Sequence, residues 1–134
     1  MPTRTPAPAN TPSPGPNAPF GVAQSVVLCD KTNGGLLRIY VRDRLGQGVP
    51  GVEIAVDWAG GRDRLFTGFK PEIDNGYADF QMEPDERYQV KLVSLEMADQ
   101  TPAEVTVRGE NLCADLPAGS LPSWQIVFQQ GASR

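Results

Sequence analysis

The 134-residue sequence contains no histidine. That absence removes the commonest general base and the commonest metal ligand together. Neither a Ser-His-Asp nor a Cys-His arrangement can then be assembled. Cysteine is scarce as well: only Cys29 and Cys113 occur, and a separation that long excludes CxxC redox and zinc motifs. No run of 18 apolar residues is found, so no segment reads as a membrane-inserting helix. Charge of one sign is not concentrated anywhere. A net charge of −4 with scattered Lys and Arg leaves no basic stripe, which argues against nucleic acid as a partner. Glycine pairs occur in "GGLLR" and "GGRDR", but the spacing of a phosphate-binding loop does not.

The carboxylates that remain offer little chemistry. Asp57 with Glu53, and Asp79 with Glu83, are the pairs to consider for glycoside hydrolysis. They fall on outward strand faces or in turns, where a carboxylate stays solvated. Asp74, Asn75, Asp79 and Asp85 sit in turns that would suit calcium, yet the EF-hand spacing is absent and "DNG" makes a turn without metal. The expectation is a non-catalytic protein with no cofactor and no resident metal.

What is present begins with proline. Residues 1–19, "MPTRTPAPANTPSPGPNAP", hold seven of the 13 prolines and, after Met1, only Ala as an apolar residue. Proline fixes φ and lacks an N–H, so this run is expected to form an extended linker that cannot pair into a sheet. No apolar core of a signal peptide follows Met1. The reading is a linker, 1–19, and one folded domain, 20–134, cut from a longer protein.

From residue 22 the apolar period is two. "VAQSVVL" is a first strand. "LLRIYVRD" places Leu37, Ile39 and Val41 on one face and Arg38, Tyr40 and Arg42 on the other. "GQGVPG" is turn chemistry. "VEIAVDW" then turns Val52, Ile54, Val56 and Trp58 inward and Glu53, Ala55 and Asp57 outward. "RDRLFTG" is a short polar strand. After the "DNG" turn, Ala78, Phe80 and Met82 point in, and Tyr77, Asp79 and Gln81 point out. "RYQVKLV" and "SWQIVFQQ" alternate likewise, the latter with Trp124, Ile126 and Phe128 together. A short strand is expected at "AEVTV" and a brief helical turn near 95–98. About seven short strands and no helical period give an all-β chain, an antiparallel β-sandwich.

Cys29 and Cys113 each follow a Leu close to a predicted element end. In an exported domain they would form a disulfide tying an early strand to a late segment. Two buried free thiols are the alternative that the pattern leaves open.

"VRDRLGQGVPGVEIAV" and "NGYADFQMEPDERYQVKL" resemble the two halves of carboxypeptidase-regulatory-like and bacterial Ig-like (prealbumin-like) domains. The matching positions are Asp43, Gly46, Pro50, Gly51, Gly76, Phe80, Pro84, Tyr88 and Val90, within residues 36–93. The resemblance implies a sandwich in a secreted or cell-surface bacterial protein, acting as a spacer or an accessory domain beside neighbouring domains of the same polypeptide. It implies no catalytic site. Related domains carry a Lys–Asn isopeptide bond assisted by a Glu, which brings Lys31, Lys70 and Lys91 into view. Here "YQVKLV" has no Glu at the corresponding place, and ordinary surface lysines are expected.

Trp58, Phe80, Tyr88, Trp124 and Phe128 fall in phase with the core. Tyr40 and Tyr77 fall out of phase, and with Phe66 or Phe69 they would form a flat platform for sugar rings. The functional expectation is therefore a monomeric spacer or accessory module. The alternative is a module that binds polysaccharide or cell envelope through Tyr40 and Tyr77.

Overall fold

A computed structural model of the chain describes residues 20–29, 35–93, 104–108, 113 and 122–131. Among them are eight strands: β1 (Phe20–Leu28), β2 (Leu36–Arg42), β3 (Glu53–Trp58), β4 (Gly61–Phe66), β5 (Tyr77–Gln81), β6 (Arg87–Leu92), β7 (Glu104–Arg108) and β8 (Ser123–Gln130). They form two four-stranded sheets, ordered β1-β8-β2-β5 and β4-β3-β6-β7. A single apolar cluster contributed by both sheets lies between them, which makes the pair a sandwich.

The architecture is all-β as expected, with two corrections. The strands number eight and not about seven: every segment expected as a strand forms one, the short β4 and β7 pairing with β3 and β6. The sandwich is also not wholly antiparallel: β8 runs parallel to β2, with Ile39 beside Ile126 and Val41 beside Phe128. The last strand enters the sheet from the pole where β2 begins, so both must run the same way. The linker 1–19 and the turn expected at 95–98 lie outside the described residues.

Alternation explains the core. Leu37, Ile39, Val41, Ile54, Val56, Val90, Ile126 and Phe128 are fully buried, all at positions of the expected phase. Burying a side chain of this size stabilises the fold by about 1.5–3 kcal/mol. At one end of the core Trp58, Phe80 and Tyr88 meet with ring centroids 5.4–5.5 Å apart. The Tyr88 hydroxyl accepts the backbone N–H of Glu83 at 2.7 Å, so the buried ring keeps its polar end satisfied. Ala55 departs from expectation: it points outward yet is buried, with the long side chains of Arg64 and Lys91 opposite it on either side.

The turns are built as their residues dictate. Asp43 Oδ1 accepts the N–H groups of Leu45 (2.9 Å) and Gln47 (3.0 Å), and Gly46 takes the left-handed φ of 86° that closes the loop. Gly76 has a different task. Its carbonyl accepts Val41 N–H at 2.8 Å, and a Cβ there would lie 2.1 Å from the Val41 carbonyl oxygen. The chains approach too closely for any side chain.

The register defines two poles. Phe20, Arg42, Tyr77 and Gln130 lie at one, and Leu28, Leu36, Gln81 and Ser123 at the other. Phe20 faces Gln130 directly, so the chain enters and leaves the sandwich at the same pole. At the opposite pole Cys29 and Cys113 form the disulfide, with Cα atoms 5.7 Å apart. It closes a loop spanning 84 positions, which the chain-entropy model values at about 4–5 kcal/mol.

Gly76→Ala should lower stability by about 3 kcal/mol, as expected for forced overpacking against backbone. Chemical denaturation checks this, and a loss below about 1 kcal/mol would show that the β2–β5 junction yields easily.

Candidate functional site

The outer face of the first sheet gathers the polar residues of β2, β5 and β8. Register places Arg38 between Gln125 and Asp79, and Tyr40 between Val127 and Tyr77. The Tyr40 and Tyr77 rings are 5.2 Å apart and inclined at 60°. The Arg42 guanidinium lies 5.2 Å from the centre of the Tyr40 ring, a cation–π contact. Tyr40 is half-buried on this face, towards the pole of Arg42 and Tyr77.

Tyr77 is where expectation and structure part. Its phase is outward as predicted, but only 3% of it is exposed. The loop before β5 folds back across it: Lys70 Nζ donates to Asp79 Oδ2 at 2.9 Å, and the Tyr77 hydroxyl donates to the same oxygen at 2.9 Å. The side chain that would stack on a sugar is covered by its own chain. Neither the lysine nor its partner could be matched from sequence, since they lie nine positions apart across a loop containing Pro71 and "DNG".

The aromatic residues that do reach solvent belong to the end of β4 and the loop after it. Phe69 is 80% exposed, and Phe66 and Ile73 are each nearly half exposed. Phe66 and Phe69, with Arg64, Lys70, Tyr77 and Asp79, line an open depression of about 270 Å³ where β4 approaches β5. The floor is apolar and the rim charged.

Of the turn carboxylates considered for calcium, Asp74 and Asp79 are engaged by protein donors. Asp74 meets Arg42 at 3.3 Å and accepts Gly76 N–H at 2.8 Å. Asp79 is held as described, and Asp85 sits in a tight turn with φ of 65°. Among the carboxylates weighed for hydrolysis, Asp57 is bonded to Arg62 on the adjacent strand, and Glu53 faces Arg64 at 3.3 Å. The hydrogen bond from Arg62 holds the Asp57 carboxyl below its ordinary value. Of the lysines considered for an isopeptide bond, Lys70 is engaged with Asp79, which raises its pKa. Lys91 stands opposite Glu104 and Ala55, and Lys31 lies outside the described residues. One buried side-chain nitrogen among the described residues lacks a partner, Nε of Arg38.

No family model matches the sequence, and no curated protein matches it. Solved structures align with part of the chain. The TIE protein of Bacillus anthracis aligns at 17% identity over 73% of this chain and 17% of its own, with a TM-score of 0.46. A C-terminal fragment of the pilus adhesin SpaC from Lactobacillus rhamnosus GG aligns at 17% identity over 75% of this chain and 47% of its own, with a TM-score of 0.47. SpaC in its open conformation aligns at 17% over 75% of this chain and 15% of its own, with a TM-score of 0.46. The chain thus spans less than half the length of each. A likeness of this degree assigns no residue and no role.

Burial first, and then the bond to Asp79, push the Tyr77 pKa well above the ordinary tyrosine value. A pKa raised by folding means that the folded state holds the proton more tightly than the unfolded chain. The associated stability is present below about pH 10, the unfolded value, and is lost as pH rises towards the folded one. Tyr77→Phe should leave the phenolate absorbance of the folded protein at about pH 11 unchanged. A marked fall in that absorbance would mean that the Tyr77 hydroxyl ionises freely.

Proposed function

We propose that the domain is a non-catalytic accessory module of a secreted or cell-surface bacterial protein, mounted on its parent chain by one pole. The observation that carries this reading is the register of Phe20 against Gln130, with the disulfide at the far pole. A domain whose two ends emerge side by side adds little distance between its neighbours and projects its length away from them. Of the two roles expected, spacer and accessory, this geometry favours the second. The Cys29–Cys113 bond suits an oxidising compartment, and the resemblance of residues 36–93 to carboxypeptidase-regulatory-like domains agrees with it. Its partners are then neighbouring domains of the same polypeptide. The domain itself is monomeric, with no nucleic-acid or membrane-inserting role.

A fluorescent donor and acceptor domain fused at the two ends tests the mounting. Energy transfer should be strong, set by the linkers alone. Transfer weakened by a further separation of about 30 Å, the length of a nine-residue strand, would restore the spacer role.

A second reading, recognition of polysaccharide or envelope, is favoured by half-buried Tyr40 among Arg38, Arg42 and Gln125, and by exposed Phe69 over the neighbouring depression. If the face binds glycan, Tyr40→Ala or Phe69→Ala should weaken retention on insoluble polysaccharide at least ten-fold. Tyr77→Phe, whose ring lies beneath the Lys70 loop, should not. No retention of the oxidised wild-type domain by any polysaccharide or cell envelope would remove this reading.

A further inference from the structure

We infer that the domain is a tension limiter: pulled by its two ends, it lengthens by a short fixed amount, and the disulfide then stops it. The inference rests on strand register and covalent connectivity, and it stands whatever neighbours the domain carries.

Phe20 and Gln130 face each other at the pole where the chain enters and leaves. Tension on the chain therefore acts across the β1–β8 ladder, at its open end. Load falls on one pair of residues at a time, Phe20/Gln130 first and then Gly21/Gln129. Strands loaded in this way peel apart. Strands pulled lengthwise past one another would share the load over the whole ladder. The register is also interrupted between Val22 and Gln24, so the ladder is irregular close to the pulled end. Four consecutive residues of β1, 23–26, are exposed, so few apolar contacts hold that part of the strand to the core.

Peeling ends at a defined place. The last β1–β8 pair is Leu28 with Ser123, and Cys29 is the next residue along. Cys29 is bonded to Cys113, on the segment that leads into β8. All residues between the two cysteines lie inside the closed loop, including the whole of β2 through β7. Tension passes through the sulfur–sulfur bond and bypasses them. Only the nine residues of β1 and the segment 114–130 can be drawn out, the latter once β8 has also left β2. Fully extended, these roughly 26 residues span about 90 Å. Without the bond the whole domain, roughly 110 residues, would release about 390 Å.

Of the two cysteines Cys113 is buried and Cys29 is exposed, so attack by a thiol is sterically hindered in the folded domain at the Cys113 sulfur. Attack at either sulfur forms a mixed disulfide with one and releases the other as thiolate.

The test is single-molecule stretching of the intact 134-residue chain, oxidised and held by its two ends. An extension that stops at about 90 Å is expected, with β1 released first and β8, which β2 and the core also hold, released later. With a small thiol in the buffer, a second and delayed step of about 300 Å should follow, because the loop spans 84 positions. A Cys29→Ser/Cys113→Ser variant that still folds should release about 390 Å without the intermediate stop. Should it not fold, the delayed second step in the wild-type chain carries the test alone. Release of about 390 Å from the oxidised chain would overturn the inference.

Discussion

The structure depends on where β8 lies. It is inserted between β1, to which it runs antiparallel, and β2, to which it runs parallel. β1 and β2 are consecutive in sequence, yet they meet only through the last strand of the domain. Remove β8, and the first sheet falls into an isolated strand and a two-stranded remnant. The core would then lose Ile126 and Phe128, both fully buried. Folding must therefore wait for the two ends of the domain to come together. This is the longest loop closure the chain can make, and the disulfide shortens it. From the same placement follow the shared pole of entry and exit and the position of Cys29 directly below the β1–β8 ladder.

Stability and surface chemistry are separated in this molecule. The interior is apolar and shared by both sheets, while the described ion pairs, Arg42–Asp74, Arg62–Asp57, Arg64–Glu53 and Lys70–Asp79, are partly exposed. Pairs of that kind contribute little to stability. Their effect is local: Lys70–Asp79 holds a loop over Tyr77, and Arg42–Asp74 ties the end of β2 to the loop before β5. Asp74, Asp57, Glu53 and Asp79 thereby hold loops and strand edges in place.

The core was legible in the sequence because period-two alternation follows directly from the pleat. Leu37, Ile39 and Val41, or Tyr88, Val90 and Leu92, could not be reassigned without turning charges inward. The turns at "DRLGQG" and "DNG" were legible for the same kind of reason, since their glycines answer backbone demands. Pairing across the molecule was not. That β8 would sit beside β2 in parallel depends on which pole the chain returns from, and periodicity carries no information about that. The burial of Tyr77 is not legible in the sequence for a related reason. Alternation gives the direction of a side chain, but what covers it is decided by a loop whose course depends on Lys70 finding Asp79. The small outward Ala55 is buried with long neighbours opposite it on two other strands, again a tertiary effect.

The direction of β1 against β8 is the central claim, since the shared pole, the one-sided mounting and the covalent stop all follow from it. Nuclear Overhauser contacts between backbone protons of these two strands test it most directly. The account predicts short cross-strand contacts that join Gly21 to Gln129 and, at the other end, Val27 to Trp124, together with a parallel pattern between β2 and β8. Contacts joining Gly21 to Trp124 and Val27 to Gln129 would mean that β1 runs parallel to β8. The two ends of the domain would then lie at opposite poles, and the account would be wrong.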